Sequence, residues 1–209
     1  MTVKTFKCSY QFSCNVYVIS SDKGNILIDP GYYDSEVGDY IREKGGLDAI
    51  LLTHGHWDHI NGLDDLKADF PEATIYISEK DHDFLTDPHL NCSDVHDFRT
   101  IIKSKAESIK GSTLKIGGYN IEVISTPGHT RGSVMYYFKD ENVLFTGDTI
   151  LVDVAGPTFR PTGNEKEMHE TLERFKNFGY DEDMPVYPGH RAVTTYEYML
   201  NHNEDLQKL

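Results

Sequence analysis

Four times in this sequence a short apolar run gives way to a glycine that directly precedes a histidine or an aspartate. Ala49-Ile50-Leu51-Leu52 leads into Thr53-His54-Gly55-His56-Trp57-Asp58-His59, and Ile121-Glu122-Val123-Ile124 leads to Thr126-Pro127-Gly128-His129. Val143-Leu144-Phe145 leads to Thr146-Gly147-Asp148, and Pro185-Val186-Tyr187 to Pro188-Gly189-His190. Apolar runs this short, bounded by glycine and polar residues, read as strands rather than helices. A glycine at the end of such a strand lets the backbone turn and come close to its neighbours. A chain punctuated this way delivers its polar chemistry at strand ends.

Strand runs alternate with helical patterns on both sides of the chain centre. In the first half, residues 3–8, 14–19, 26–28, 49–53 and 74–77 read as strands. Helices are expected around 34–44, from Asp58 to about Ala68, and after a Ser78 N-cap. In the second half the strands are 113–116, 121–124, 133–138, 143–145 and 186–187, with helices at 165–178 and 194–206. Met168, Leu172 and Phe175 share one face of the first of those helices. Residues 86–98 lack periodicity and read as a surface loop able to lean over a site, and 152–164 forms a second irregular stretch. The fold class expected is α/β: two mixed sheets packed face to face with helices outside, four αββα layers in one domain over 1–209.

His54 and His56 are two residues apart, so in an extended segment both imidazoles point to one side and offer half a zinc shell. With His129, Asp148 and His190, the strand ends offer enough donors for two divalent metal ions. Zinc is the first expectation, with iron or manganese as alternatives. The remaining histidines (His82, His89, His96, His169 and His202) fit no ligand slot and read as surface or loop residues, with His89 and His96 able to touch substrate.

Charge and cysteine usage narrow the classes. Acidic residues outnumber basic ones 34 to 20, which argues against a nucleic-acid surface. Cys8, Cys14 and Cys92 are odd in number and show no CxxC spacing, so a disulfide framework is not expected. No apolar run has the length of a signal peptide or membrane span, and a cytoplasmic location with a small-molecule partner is the expectation. Oligomeric state is not legible.

The stretch from His54 to His59 resembles the HxHxDH signature of the metallo-β-lactamase superfamily, and the later order of His129, Asp148 and His190 matches it as well. The resemblance implies one metal held by His54, His56 and His129, and a second by Asp58, His59 and His190, with Asp148 bridging. It implies a hydrolase using a metal-bridging hydroxide, with Asp58 as the residue that orients it and takes a proton. Asn15-Val16-Tyr17, Leu27-Ile28-Asp29-Pro30-Gly31, Thr126–Ser133 and Phe145–Thr149 look like the glyoxalase II branch, which hydrolyses hydroxyacylglutathione-type thioesters. Residues 152–161 lack the Gly-Arg-x-Asp run common there, and Arg191 stands where glycine is frequent. Arg131, Phe159, Arg160 and Arg191 are candidates for substrate contact. An iron-dependent persulfide dioxygenase, a lactonase and a non-catalytic metal-binding protein are the alternative readings.

Overall fold

The computed structural model describes residues 1–7 and 14–209, so Cys8 lies outside the described residues. Its first sheet runs in sequence order: β1 (Thr2–Lys7), β2 (Asn15–Ser21), β3 (Gly24–Ile28), β4 (Ala49–Leu51), β5 (Thr74–Ser78) and β6 (Ala106–Ile109). β1 to β3 are antiparallel, and β3 to β6 are parallel. The second sheet holds β7 (Thr113–Ile116), β8 (Tyr119–Ser125), β9 (Val134–Phe138), β10 (Val143–Gly147), β11 (Pro185–Pro188) and β12 (Thr194–Thr195). It is parallel between β10 and β11 and antiparallel elsewhere.

Side chains alternate across a strand, so a strand covered on both faces must be apolar on both. In β2, Tyr17 and Ile19 face the second sheet, where they join Tyr136, Phe138 and Phe145. Val16 and Val18 face the opposite way, against Val37 and Ile41 of α1 (Ser35–Glu43) and Leu63 and Leu66 of α3 (Leu63–Asp69). The second sheet repeats the arrangement. Val143 and Phe145 enter the core between the sheets, while Leu144 packs outward on α4 (Glu165–Lys176) and α5 (Tyr196–His202). Three apolar layers therefore hold four layers of secondary structure, as the strand-and-helix pattern implies.

The helix starts follow local chemistry. Asp34 accepts from the Val37 N–H at 3.1 Å, and Asn164 accepts from the Glu167 N–H at 3.1 Å. Four expectations need correction. The segment after Ser78 is a 3-10 helix, Glu79–Leu85, and not an α-helix. The expected helix beginning at Asp58 is broken into α2 (Trp57–Ile60) and α3, because the β3–α1 loop presses on Gly62. The Gly62 N–H donates to Pro30 O at 2.8 Å, and a Cβ there would lie 2.7 Å from the Tyr32 carbonyl carbon. Residues 194–195 form an edge strand before α5, with Thr195 capping the helix by accepting from the Tyr198 N–H. β6 has no apolar run to announce it, because an edge strand is covered on fewer sides. Residues 86–98 are also more than a surface loop: Asn91 is buried, donates to Phe84 O and Thr100 O, and accepts at its own carbonyl from the Trp57 N–H. Among the described residues no helix is long and apolar enough to cross a membrane.

Candidate metal centre

β3, β4, β8, β10 and β11 all end on one edge of the molecule, and each hands over a polar residue there. Two glycines show how tight that edge is. Gly147 takes φ +51° where a Cβ would meet the Thr53 side chain at 2.4 Å, and a Cβ on Gly189 would lie 2.2 Å from Asp148 Oδ1. The two sheets are tied at the same edge. The Val134 N–H donates to Thr53 O at 2.9 Å, Tyr136 Oη to Leu52 O at 2.7 Å, and Tyr17 Oη to Pro188 O at 2.6 Å.

The structure brings all seven expected donors together. His56 Nδ1 lies 3.1 Å from His54 Nε2 and 3.0 Å from His129 Nε2. His190 Nε2 lies 3.3 Å from His59 Nε2, 3.3 Å from Asp58 Oδ2 and 3.4 Å from Asp148 Oδ2. Asp148 stands between these sets, with Oδ1 3.5 Å from His59 Nε2 and Oδ2 3.8 Å from His129 Nε2. Three overlapping groups of donors result: His54, His56 and His129; His54, His59 and Asp148; Asp58, His59 and His190.

The hydrogen bonds behind the histidines decide which nitrogen faces inward. The His129 Nδ1–H donates to Pro157 O at 2.7 Å, because a carbonyl can only accept. His59 Nδ1–H donates to Asp29 Oδ2 at 2.9 Å. Thr53 Oγ1 donates to Asp29 Oδ2 at 2.6 Å, which leaves it to accept from His54 Nδ1–H at 3.1 Å. With Nδ1 engaged in each of these rings, Nε2 is the nitrogen turned toward the centre in all three. Asp29, buried and at φ +53°, orients one histidine directly and another through Thr53. In the sequence Asp29 reads only as a strand end within a family-like segment. Its signal was an aspartate at the end of a buried strand beside the histidine-rich one.

The charges separate the two sides. Burial, reinforced by neighbouring imidazoles, keeps His54 well below its usual range and brings His56 down to about 3. Burial likewise lowers His129. Burial also opposes charge on His59 and His190, but acidic neighbours outweigh it: Asp148 leads for His190, which rises to about 9, and Cys14, then Asp148 and Asp29, hold His59 well above its usual range. Burial works against the Asp148 and Asp58 anions too, and the facing histidines outweigh it, so both stay ionised.

The donor set fits divalent cations. Three imidazole nitrogens converge about 3 Å apart, close to the edge of about 3.3 Å expected for tetrahedral nitrogen ligation with bonds of about 2.0–2.1 Å. Asp148 Oδ1 is buried without a hydrogen-bond partner, as an oxygen awaiting a cation would be. Cys14 and Cys92 are buried free thiols raised to about 11 by burial, and neither belongs to the three donor groups.

A cavity of about 280 Å³ opens over the centre, lined by His56, Trp57, Asp58, His129 and Asp148 on its floor and by Cys92, His96, Pro157 and Arg160 around it. His96 is therefore at the site, whereas His89 is exposed and turned to Asp94. His82, His169 and His202 bond elsewhere, to Ala106 O, Glu173 and Tyr198 O.

Sequence comparison supplies relatives for this geometry. The profile of the Metallo-beta-lactamase superfamily matches residues 9–190. The chain is 34% identical over 183 residues to the probable metallo-hydrolase YqgX of Bacillus subtilis (strain 168), covering 86% of each chain. It is 28% identical to the hydroxyacylglutathione hydrolase GloC of Haemophilus influenzae, over 90% of this chain and 89% of that one. Among solved structures, one titled as the BLEG-1 B3 metallo-beta-lactamase superimposes with a TM-score of 0.90 and 30% identity, covering 98% of this chain and 99% of that one.

Proposed function

Because this chain belongs to the metallo-β-lactamase superfamily, we propose that it is a two-metal hydrolase acting on thioesters or related small esters. The observation that carries this reading is the unbroken run of seven donors in which Asp148 lies between two histidine sets. His54, His56 and His129 would hold one ion, Asp58, His59 and His190 the other, and Asp148 both. Bound there, two divalent cations, zinc first among them, would acidify water toward neutral pH and polarise the scissile carbonyl.

The protein's own groups do the rest. Asp29, Thr53 and the Pro157 carbonyl fix the rings, which keeps donor lone pairs aimed inward before anything binds. Asp58, kept ionised and part of the cavity floor, is placed to orient the attacking water and hold its proton at Oδ2. Trp57 and His96 wall the cavity against bulk water. Thioester preference is supported by the likeness to GloC, whose name states that chemistry.

A second reading, lactam hydrolysis, is favoured by the likeness to BLEG-1. One panel separates them: zinc-loaded protein assayed on S-lactoylglutathione, acyl-CoA thioesters, lactones, phosphodiesters and β-lactams, with elemental analysis of the protein as purified and its oxygen uptake on a persulfide. Thioesterase activity with about two zinc ions per chain supports the proposal. Turnover of β-lactams alone supports the second reading, and one iron with oxygen uptake on persulfides overturns both.

A further inference from the structure

Three arginines are candidates for substrate contact by their place in the sequence, and their partners sort them. Arg131 is held by Asp83 at 2.6 and 2.7 Å and by Lys80 O at 2.8 Å. Arg191 pairs with Asp153. Arg160 has no carboxylate partner among the described residues; its guanidinium lies 5.0 Å from the Phe159 ring, and its side chain lines the cavity over the metal centre. On a chain with net charge -14, an uncommitted cation at the mouth of a site is a conspicuous feature.

Beside it runs an aromatic wall. Trp57 packs edge-on to His96 at 4.8 Å and to Phe98 at 5.0 Å, and His96 stacks on Phe98 at 5.4 Å. The wall is built to be met from outside, since Phe98 remains 42% exposed. The cavity, about 280 Å³, is at the small end for ligand sites. It has room for an acyl group and its reacting bond. Among the lining residues, Arg160, Trp57 and His96 offer the charged and aromatic contacts that the remainder of a thioester would meet on its way out.

We infer that Arg160 and the Trp57–His96–Phe98 wall form a subsite for the anionic end of a thioester substrate. The guanidinium takes a carboxylate or phosphate oxygen, and the rings take the apolar or amide segment next to it. This rests on the thioester reading above and specifies the substrate as anionic.

The test uses one acyl group, lactoyl, on three thiols: glutathione (carboxylates), coenzyme A (phosphates) and neutral N-acetylcysteamine. In the metal-loaded protein, Arg160→Ala lowers kcat/KM for an anionic thioester relative to the neutral one by roughly tenfold, mostly in KM, and Arg160→Lys recovers part of it. Loss on glutathione alone assigns a carboxylate, and loss on coenzyme A alone a phosphate. Trp57 is the only tryptophan in the sequence, so its emission reports binding of glutathione or coenzyme A without turnover. An Arg160-dependent emission change in a protein that hydrolyses no thioester would retain the anion subsite and remove the thioester reading. Hydrolysis in which neither the ratio nor the emission depends on Arg160 would overturn the subsite and leave that reading standing.

Discussion

Two donor groups lie side by side at one sheet edge, and they are prepared in opposite ways. His54, His56 and His129 are deeply buried and held neutral, so their lone pairs are free without any competing proton. Asp58, His59 and His190 carry carboxylates among them, and without metal the two imidazoles hold protons that a cation must displace. The first group is preorganised by desolvation, the second by charge. Asp148 touches both sides and makes them one centre.

Four experiments would break or sharpen that contrast. The largest effect is expected at the shared residue. Asp148→Asn should reduce kcat/KM by more than about a hundredfold, beyond what loss of an outer hydrogen-bond partner does. Elemental analysis should show metal lost from both groups. Loss from one group alone would mean that Asp148 does not join them.

Asp29→Asn comes next, with metal affinity or activity expected to fall about 10- to 100-fold. Because Asp29 reaches His59 directly and His54 through Thr53, both groups should weaken. Weakening confined to one, read by competition with a chelator, would show that the Thr53 link is idle.

The pH dependence should differ between groups. His190 is raised to about 9 in the metal-free protein, so it is protonated below that pH and binding there releases a proton. Because His59 is held well above its usual range as well, a second proton leaves with it, and affinity of this group should drop by up to about a hundredfold per unit as pH falls from 9 toward 6. The His56 group, with that ring at about 3, should bind nearly unchanged over the same range. Titration calorimetry in buffers of different ionisation enthalpy counts the protons. The stability of the metal-free chain runs the other way: the His190 ion pairs contribute in full below about 6.5 and fade as pH rises through about 9.

The smallest effect concerns Asp81, buried beneath the first group. It accepts from the Gly55 N–H at 3.2 Å and from Thr130 Oγ1 at 2.7 Å, joining the His54–His56 turn to the loop of His129. Burial raises its carboxyl from 3.8 to about 6. A carboxyl raised on folding stabilises the fold in its protonated form, an advantage complete below about 4 and lost as pH rises through about 6. Asp81→Asn keeps an acceptor and removes the charge. Its melting temperature should therefore fall less than the wild type's between pH 4 and 7, by a few degrees. Parallel melting curves would overturn this account of Asp81.

Much of this was legible in the residues. Runs such as Val16–Ile19 announce strands covered on both faces, since only apolar side chains suit both sides of such a strand. The Gly-His and Gly-Asp pairs announce close approach, because a Cβ at Gly147 or Gly189 would collide with the site itself. Less legible was β6, whose edge position needs no apolar run, and the break at Gly62, which depends on a loop far away in sequence. The 86–98 segment looked like loop because its burial rests on Asn91 hydrogen bonds and not on a hydrophobic period.

By itself the sequence determined the fold class and nominated the seven candidate donors, through strand periodicity, glycine punctuation and the resemblance of its His/Asp order to a known signature, all of them local properties of the chain. Tertiary structure alone decided how those donors divide. Which imidazole is kept neutral and which is protonated, and which nitrogen faces inward, depend on Asp29, Thr53 and Pro157 arriving from other strands and loops. Desolvation and charge pairing are set by neighbours in space. The choice of Arg160 over Arg131 and Arg191 was likewise made by which carboxylates folding brought beside each.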